Sequence, residues 1–99
     1  MSEHPSVPIL EPVWLIEATY VANAAEARAP FRAAHLARIR ELRQQGVLVE
    51  AGAYADASAS VLMLRADTEE QALDLARADT YWQNGVWVGL KARAFSRVP

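Results

Sequence analysis

Two strand-like runs with only five residues between them constrain this chain more than any other feature of it. "VLVEAGAY" (47–54) and "SVLMLRA" (60–66) are built from β-branched and long apolar residues, and "ADASA" (55–59) is a turn of small ones. A parallel pair needs a crossover of about a dozen residues or more, so these two runs form an antiparallel hairpin. On the N-terminal side, "APFRAAHLARIREL" (29–42) repeats its apolar residues at helical spacing, and a helix is predicted from about Pro30 to Gln45, ending at Gly46. On the C-terminal side, "DTEEQALDLARAD" (67–79) opens with Asp67 or Thr68 as N-cap and glutamates in its first turn, with Ala72, Leu73, Leu75 and Ala76 as its apolar face. "VWLIEATY" (13–20) and "VWVGLKARAFSRV" (86–98) complete the pattern as outer strands. "VANAAEARA" reads as a loop, and "TYWQNG" (80–85) as a helix break or short turn ending at Gly85.

The order β-α-β-β-α-β is the ferredoxin-like, α+β arrangement: a four-stranded antiparallel sheet with two helices on one face. Both sheet faces carry apolar area. Strand 1 has Trp14, Ile16, Ala18 and Tyr20 on one side and Val13 and Leu15 on the other; strand 3 divides Val61 and Met63 from Leu62 and Leu64; the last strand sets Trp87 and Phe95 against Val88, Leu90 and Ala92. Two helices cover one face only, so the expectation is a homodimer packed sheet to sheet, with room for higher assembly. The domain spans 13–98, and "MSEHPSVPILEP" (1–12), with prolines at 5, 8 and 12, is expected to be a flexible arm.

Composition narrows the function. A net charge of −2 offers no attraction for nucleic acid or an anionic membrane, and no apolar run approaches the ~20 residues of a span. "SVLMLRA" has no aromatic residue, which excludes an RNA-recognition module of the same topology. With no cysteine and only two histidines, no metal is expected. The arm lacks the features of a secretory signal, so a cytoplasmic protein is expected. There is no glycine-rich phosphate loop and no nucleophile elbow.

One residue is out of place. On a helix, Phe31, His35, Ile39 and Leu42 fall within an arc of roughly 80°, so His35 turns with the apolar stripe toward the interior. Arg32, Arg40 and Arg43 point away, and Arg38 sits at the edge. An imidazole there either has a structural hydrogen-bond partner or performs chemistry, and the helix alone leaves both open.

"FRAAHLARIRELRQQGVLVEAGAY" resembles the YciI-like family, whose first helix carries Arg-x-x-His-Leu before a glycine-ended turn and an Ala-Gly strand. "ARADTYWQNGVW" resembles the same family's Ala-Asp-Pro-Tyr, three residues, then Gly-Val. The resemblance covers about 13–98 and implies a dimeric α+β barrel related to muconolactone-isomerase-type and dehydrochlorinase proteins. It implies a His35–Asp79 pair as catalytic centre, with Arg32, Gly52 and Tyr81 at matching positions. Thr80, Ala53 and Ala94 stand where the family commonly has proline.

On that basis His35 is expected to act as general acid/base, since an unperturbed imidazole titrates near pH ~6.5, and Asp79 to fix its tautomer. Arg32 and Tyr81 would hold a small, cyclic or aromatic anionic substrate, Ser60 would donate a hydrogen bond into the cleft, and Gly52 would allow close backbone approach. The reaction expected is an elimination, isomerisation or lyase step without a cofactor. The alternative is a non-catalytic dimeric domain binding a small ligand or a protein, in which His35 is a satisfied core residue, Asp79 a turn cap, Arg32 a surface charge and Tyr81 a core aromatic.

Overall fold

The β-branched and aromatic runs pair as one antiparallel sheet in a computed structural model that describes residues 9–99. Its strands are β1 (Glu11–Tyr20), β2 (Leu48–Ala53), β3 (Ala59–Leu64) and β4 (Trp87–Arg97), in the spatial order β2-β3-β1-β4. The helices are α1 (Ala24–Arg28), α2 (Arg32–Gln44), α3 (Glu69–Arg77) and α4 (Thr80–Gln83), with a 3-10 turn over Ala29–Phe31. They pack on one face, where Ile16, Ala18, Leu62, Leu64, Ala72, Ala76 and Val86 form the core. No helix among the described residues is long and apolar enough to cross a membrane.

Both halves of the fold turn from helix to strand by the same device. Gly46 and Gly85 take φ values of 77° and 72°, which L-residues avoid. In each case the glycine N–H and the following valine N–H return to carbonyls of the helix just ended: Gly46 to Arg43 and Val47 to Leu42, then Gly85 to Trp82 and Val86 to Tyr81. This is the Schellman closure, and it launches β2 and β4 from defined points. Thr68 caps α3, its side chain accepting from the Gln71 N–H at 3.1 Å.

Three expectations are corrected. "VANAAEARA" is not all loop: the alanine-rich Ala24–Arg28 forms α1, because alanine has the highest helix propensity and the Asn23 carbonyl accepts from Glu26 and Ala27. The strand begins two residues earlier than 13, at Glu11, whose carboxylate is bound by Arg65 and, at 2.8 Å, by Arg97. Pro12 is tolerated because β3 pairs with β1 only from Trp14 onward, so this end behaves as an edge. Trp87 does not oppose Leu90 and Ala92. The β1–β4 register shifts between Thr19 and Tyr20, and this bulge passes over Val88 and turns Trp87 into the core beside them. Of the expected arm, residues 1–8 lie outside the described residues.

The hairpin turn holds a strained residue. Ala57 has φ 58°, while the Ser58 N–H donates to the Asp56 carboxylate at 2.9 Å. A left-handed alanine costs about 1–2 kcal/mol, partly offset by the greater chain freedom that glycine loses on folding. Ala57→Gly is therefore expected to stabilise the domain by roughly 0.5–1 kcal/mol, seen as a thermal midpoint higher by a few degrees. A lower midpoint would contradict this.

Candidate active site

The site starts from the register of α2. Its stripe buries His35 and Leu42, 7% and 8% exposed, with Phe31 and Ile39 packed against the core. Across from it, α3 ends at Arg77 and α4 begins at Thr80, with Ala78 and Asp79 between them, and Asp79 occupies that joint with no exposed surface. Asp79 Oδ1 accepts from the Tyr81 backbone N–H at 2.9 Å, capping α4, and lies 2.8 Å from His35 Nδ1. Arg38 Nη1 donates to Asp79 Oδ2 at 3.3 Å, while its Nη2 donates to the Leu75 carbonyl at 2.9 Å. Both carboxylate oxygens are thus acceptors toward a guanidinium and a backbone amide. The proton in the contact with His35 accordingly sits on Nδ1, and Nε2 is the ring nitrogen left to accept.

Aromatic packing fixes the ring's plane. Tyr81 stacks on His35 with centroids 3.8 Å apart and planes 8° from parallel. Trp87 meets both edge-on, 5.4 Å from His35 and 5.6 Å from Tyr81. Hydrogen bond and stacking together restrain the imidazole in position and in tautomer.

His35 opens on a cavity of 190 Å³ between α1, α2 and the sheet. Tyr20, Ser60, Tyr81, Arg28 and Arg32 share its wall, with Leu36, Ile39 and Leu62 as apolar lining. The Ser60 hydroxyl donates to the Tyr20 oxygen at 3.0 Å, and the Arg28 guanidinium lies over the Tyr20 ring, 5.7 Å from its centroid. A larger hollow of 750 Å³ lies at the other end of β1; of its charged residues Glu11 and Arg65 are bound to each other, which leaves Asp67, and no histidine lines it. The smaller cavity is the one that His35 lines. Among the described residues no three His, Asp or Glu side chains gather as metal ligands.

Two buried polar atoms lack a partner among the described residues, the Tyr81 hydroxyl and Trp87 Nε1. Burial pushes the Tyr81 phenol above its usual range, and the neighbouring Tyr20 adds to this, while Arg32 and Arg28 pull the other way. An orphaned hydroxyl costs about 1–3 kcal/mol, so Tyr81→Phe is expected to raise stability at neutral pH by about 1 kcal/mol. The folded protein also holds the Tyr81 proton more tightly than the unfolded chain. That contribution is fully present below pH ~10 and is lost as pH rises through the raised folded value. Urea midpoints measured across alkaline pH should therefore fall less steeply in Tyr81→Phe than in wild type; equal slopes would contradict the assignment.

The structure brings together His35, Asp79, Tyr81, Arg32 and Ser60 as the sequence suggested, though Ser60 reaches the cavity as one half of a hydroxyl pair. Gly52 lines the cavity, but a Cβ built on it meets nothing within 4 Å and its φ is ordinary, so no close approach explains it. Asp79, which follows the C-terminus of α3, is placed favourably at the N-terminus of α4, which it caps. Thr80 fills the first position of that helix, where proline is also favoured, so the capping geometry survives the exchange. Ala53 and Ala94 pair in register with Ser60 and Trp14. Sequence reasoning missed Arg38, Arg28, Tyr20 and Trp87. Arg38 stands three residues beyond His35 at the edge of the apolar arc, a position from which a long side chain reaches the same partner.

The YCII-related domain model matches residues 13–96. No curated protein matches this chain. Among solved structures, the 5-chloro-2-hydroxyhydroquinone dehydrochlorinase of Burkholderia phenoliruptrix AC1100, in complex with 2,5-dihydroxybenzoquinone, superposes with a TM-score of 0.72. The identity is 17%, over 84% of this chain and 92% of that one. At this identity the likeness is one of fold.

Proposed function

The chain belongs to the YCII-related domain family, and from the way its fold seats an imidazole and a carboxylate at one cavity wall we propose that it is an acid–base enzyme acting on a small ring compound. The observation that carries this reading is the 2.8 Å contact between His35 Nδ1 and the buried Asp79 carboxylate, in a residue pair 44 positions apart. Nε2 takes a proton from the substrate, and Asp79 stabilises the imidazolium that forms. In an elimination the leaving group departs with its electron pair from the adjoining atom. In an isomerisation the same nitrogen returns the proton at another atom. Arg38 compensates the charge of Asp79 and holds its second oxygen, so that Oδ1 stays aimed at the ring. Arg32, at the cavity rim, is placed to meet a substrate anion.

The dehydrochlorinase likeness makes chlorinated hydroxyhydroquinones the first compounds to offer, and small lactones the second. Chloride release or lactone rearrangement by the wild-type protein, above a protein-free control, is the expected result. A folded protein that binds 2,5-dihydroxybenzoquinone yet turns over neither class would favour the non-catalytic ligand-binding domain. The proposed site needs no second copy, but the sheet face away from the helices supports a sheet-to-sheet homodimer as part of this reading. Leu15, Val61 and Met63 are half-buried there and Phe95 is exposed.

A further inference from the structure

The cavity is lined by two arginines and a histidine and by no carboxylate, in a chain whose net charge is −2. Among the described residues Arg38, Arg43, Arg65, Arg77 and Arg97 each have an acidic partner; Arg28, Arg32, Arg40 and Arg93 have none, and of these four only Arg28 and Arg32 line the cavity. They stand four residues apart, at the end of α1 and the start of α2, and the 3-10 turn between them directs both to the same cavity. The Arg28 guanidinium carbon lies over the Tyr20 ring, 5.7 Å from its centroid, and its N–H groups hold no acidic partner among the described residues.

The hydroxyl groups add to the same imbalance. Tyr20 accepts from Ser60, which leaves its own proton to donate, and the buried Tyr81 hydroxyl makes no well-formed hydrogen bond among the described residues, Arg32 being the donor nearest to hand. Against these donors the lining side chains set no carboxylate or amide oxygen; beyond the hydroxyl oxygens, which accept as well as donate, His35 Nε2 is their one acceptor. A ligand that satisfies the cavity is rich in acceptors. Size sets the remaining bound: a cavity of about 150 Å³ admits benzene, so 190 Å³ accommodates one substituted ring.

We propose that the substrate is a single-ring, oxygen-rich dianion, and that Arg28 is the specificity residue reading its second negative charge, Arg32 meeting the first. This rests on the acid–base reading only in taking the cavity as the substrate site. The class fits a ring with ionised oxygens at opposite ends, such as a doubly ionised dihydroxyquinone.

Calorimetric binding of two probes tests it: 2,5-dihydroxybenzoquinone, a vinylogous diacid doubly ionised near neutral pH, and hydroquinone, a neutral ring of similar size. Wild type is expected to prefer the dianion, and added salt to weaken that binding. Arg28→Gln should bind the dianion on the order of tenfold more weakly, the scale of one charge-assisted hydrogen bond, and hydroquinone about as well as wild type. Arg28→Lys should recover part of the loss, since it restores charge without the planar fork. Unchanged dianion affinity in Arg28→Gln, equal losses for both probes, or no wild-type preference would each overturn the proposal. Because binding is read without turnover, the two claims separate. A protein that binds the dianion through Arg28 but catalyses nothing sinks the acid–base reading alone; one that turns over substrate with Arg28→Gln affinity intact sinks this one alone.

Discussion

Asp79→Ala is expected to lower folding stability by about 2–4 kcal/mol, the cost of leaving buried donors unmatched beside a part-buried guanidinium. The carboxylate receives His35 Nδ1–H, Arg38 Nη1–H and the Tyr81 backbone N–H, and is itself wholly buried. Its removal strands all three donors at once and uncaps α4. A domain of this size has about 5–15 kcal/mol in total, so the variant approaches the edge of folding, and urea unfolding reads the change as a lower midpoint. Should it fail to fold, Asp79→Asn serves in its place. It keeps the volume and an oxygen for the Tyr81 N–H but gives up the charge that Arg38 faces, so a smaller loss is expected. A loss within about 0.5 kcal/mol in Asp79→Ala, the ordinary range for a surface residue, would mean that the cluster is not coupled.

His35→Ala has its largest effect on turnover. Removing a positioned general base is expected to lower kcat by about 10²–10⁴-fold. The structural penalty is smaller than for Asp79, because Arg38 remains to balance the carboxylate, although the face of Tyr81 loses its stacked partner. Binding of 2,5-dihydroxybenzoquinone, carried by Arg28 and Arg32, should be largely retained. A variant with wild-type turnover would remove His35 from the chemistry. One that lost binding and turnover together would place it among the binding groups instead.

How far the sequence alone reaches depends on the range of the interaction. The hairpin was legible because a five-residue connection forbids a crossover, and the end of α2 because Gly46 supplies the left-handed turn that two backbone hydrogen bonds then close. Each is a local rule. The burial of His35 was legible for the same reason, from the angular position of one residue on a helix. The bulge that turns Trp87 inward was not, because strict alternation counts every residue and a bulge skips one. Helix α4 is four residues long, below the length at which periodicity can show, and that hid the N-cap role of Asp79. No local pattern links His35 to Asp79; only the family resemblance suggested the pair. Arg28 and Arg38 were passed over since an arginine on a helix is ordinarily solvated, and which of them turns inward depends on what tertiary packing sets opposite it.

The central claim is that Asp79 fixes His35 with its proton on Nδ1 and its Nε2 bare toward the cavity. Nitrogen-15 NMR of the imidazole reads this directly, in protein whose ring carries a single proton. The wild-type spectrum should show His35 Nδ1 as the protonated nitrogen and Nε2 as the bare one, and Asp79→Asn should change that pattern in a protein that is still folded. A wild-type ring protonated on Nε2, or a pattern indifferent to Asp79→Asn, would contradict the account and leave His35 as a packed core residue.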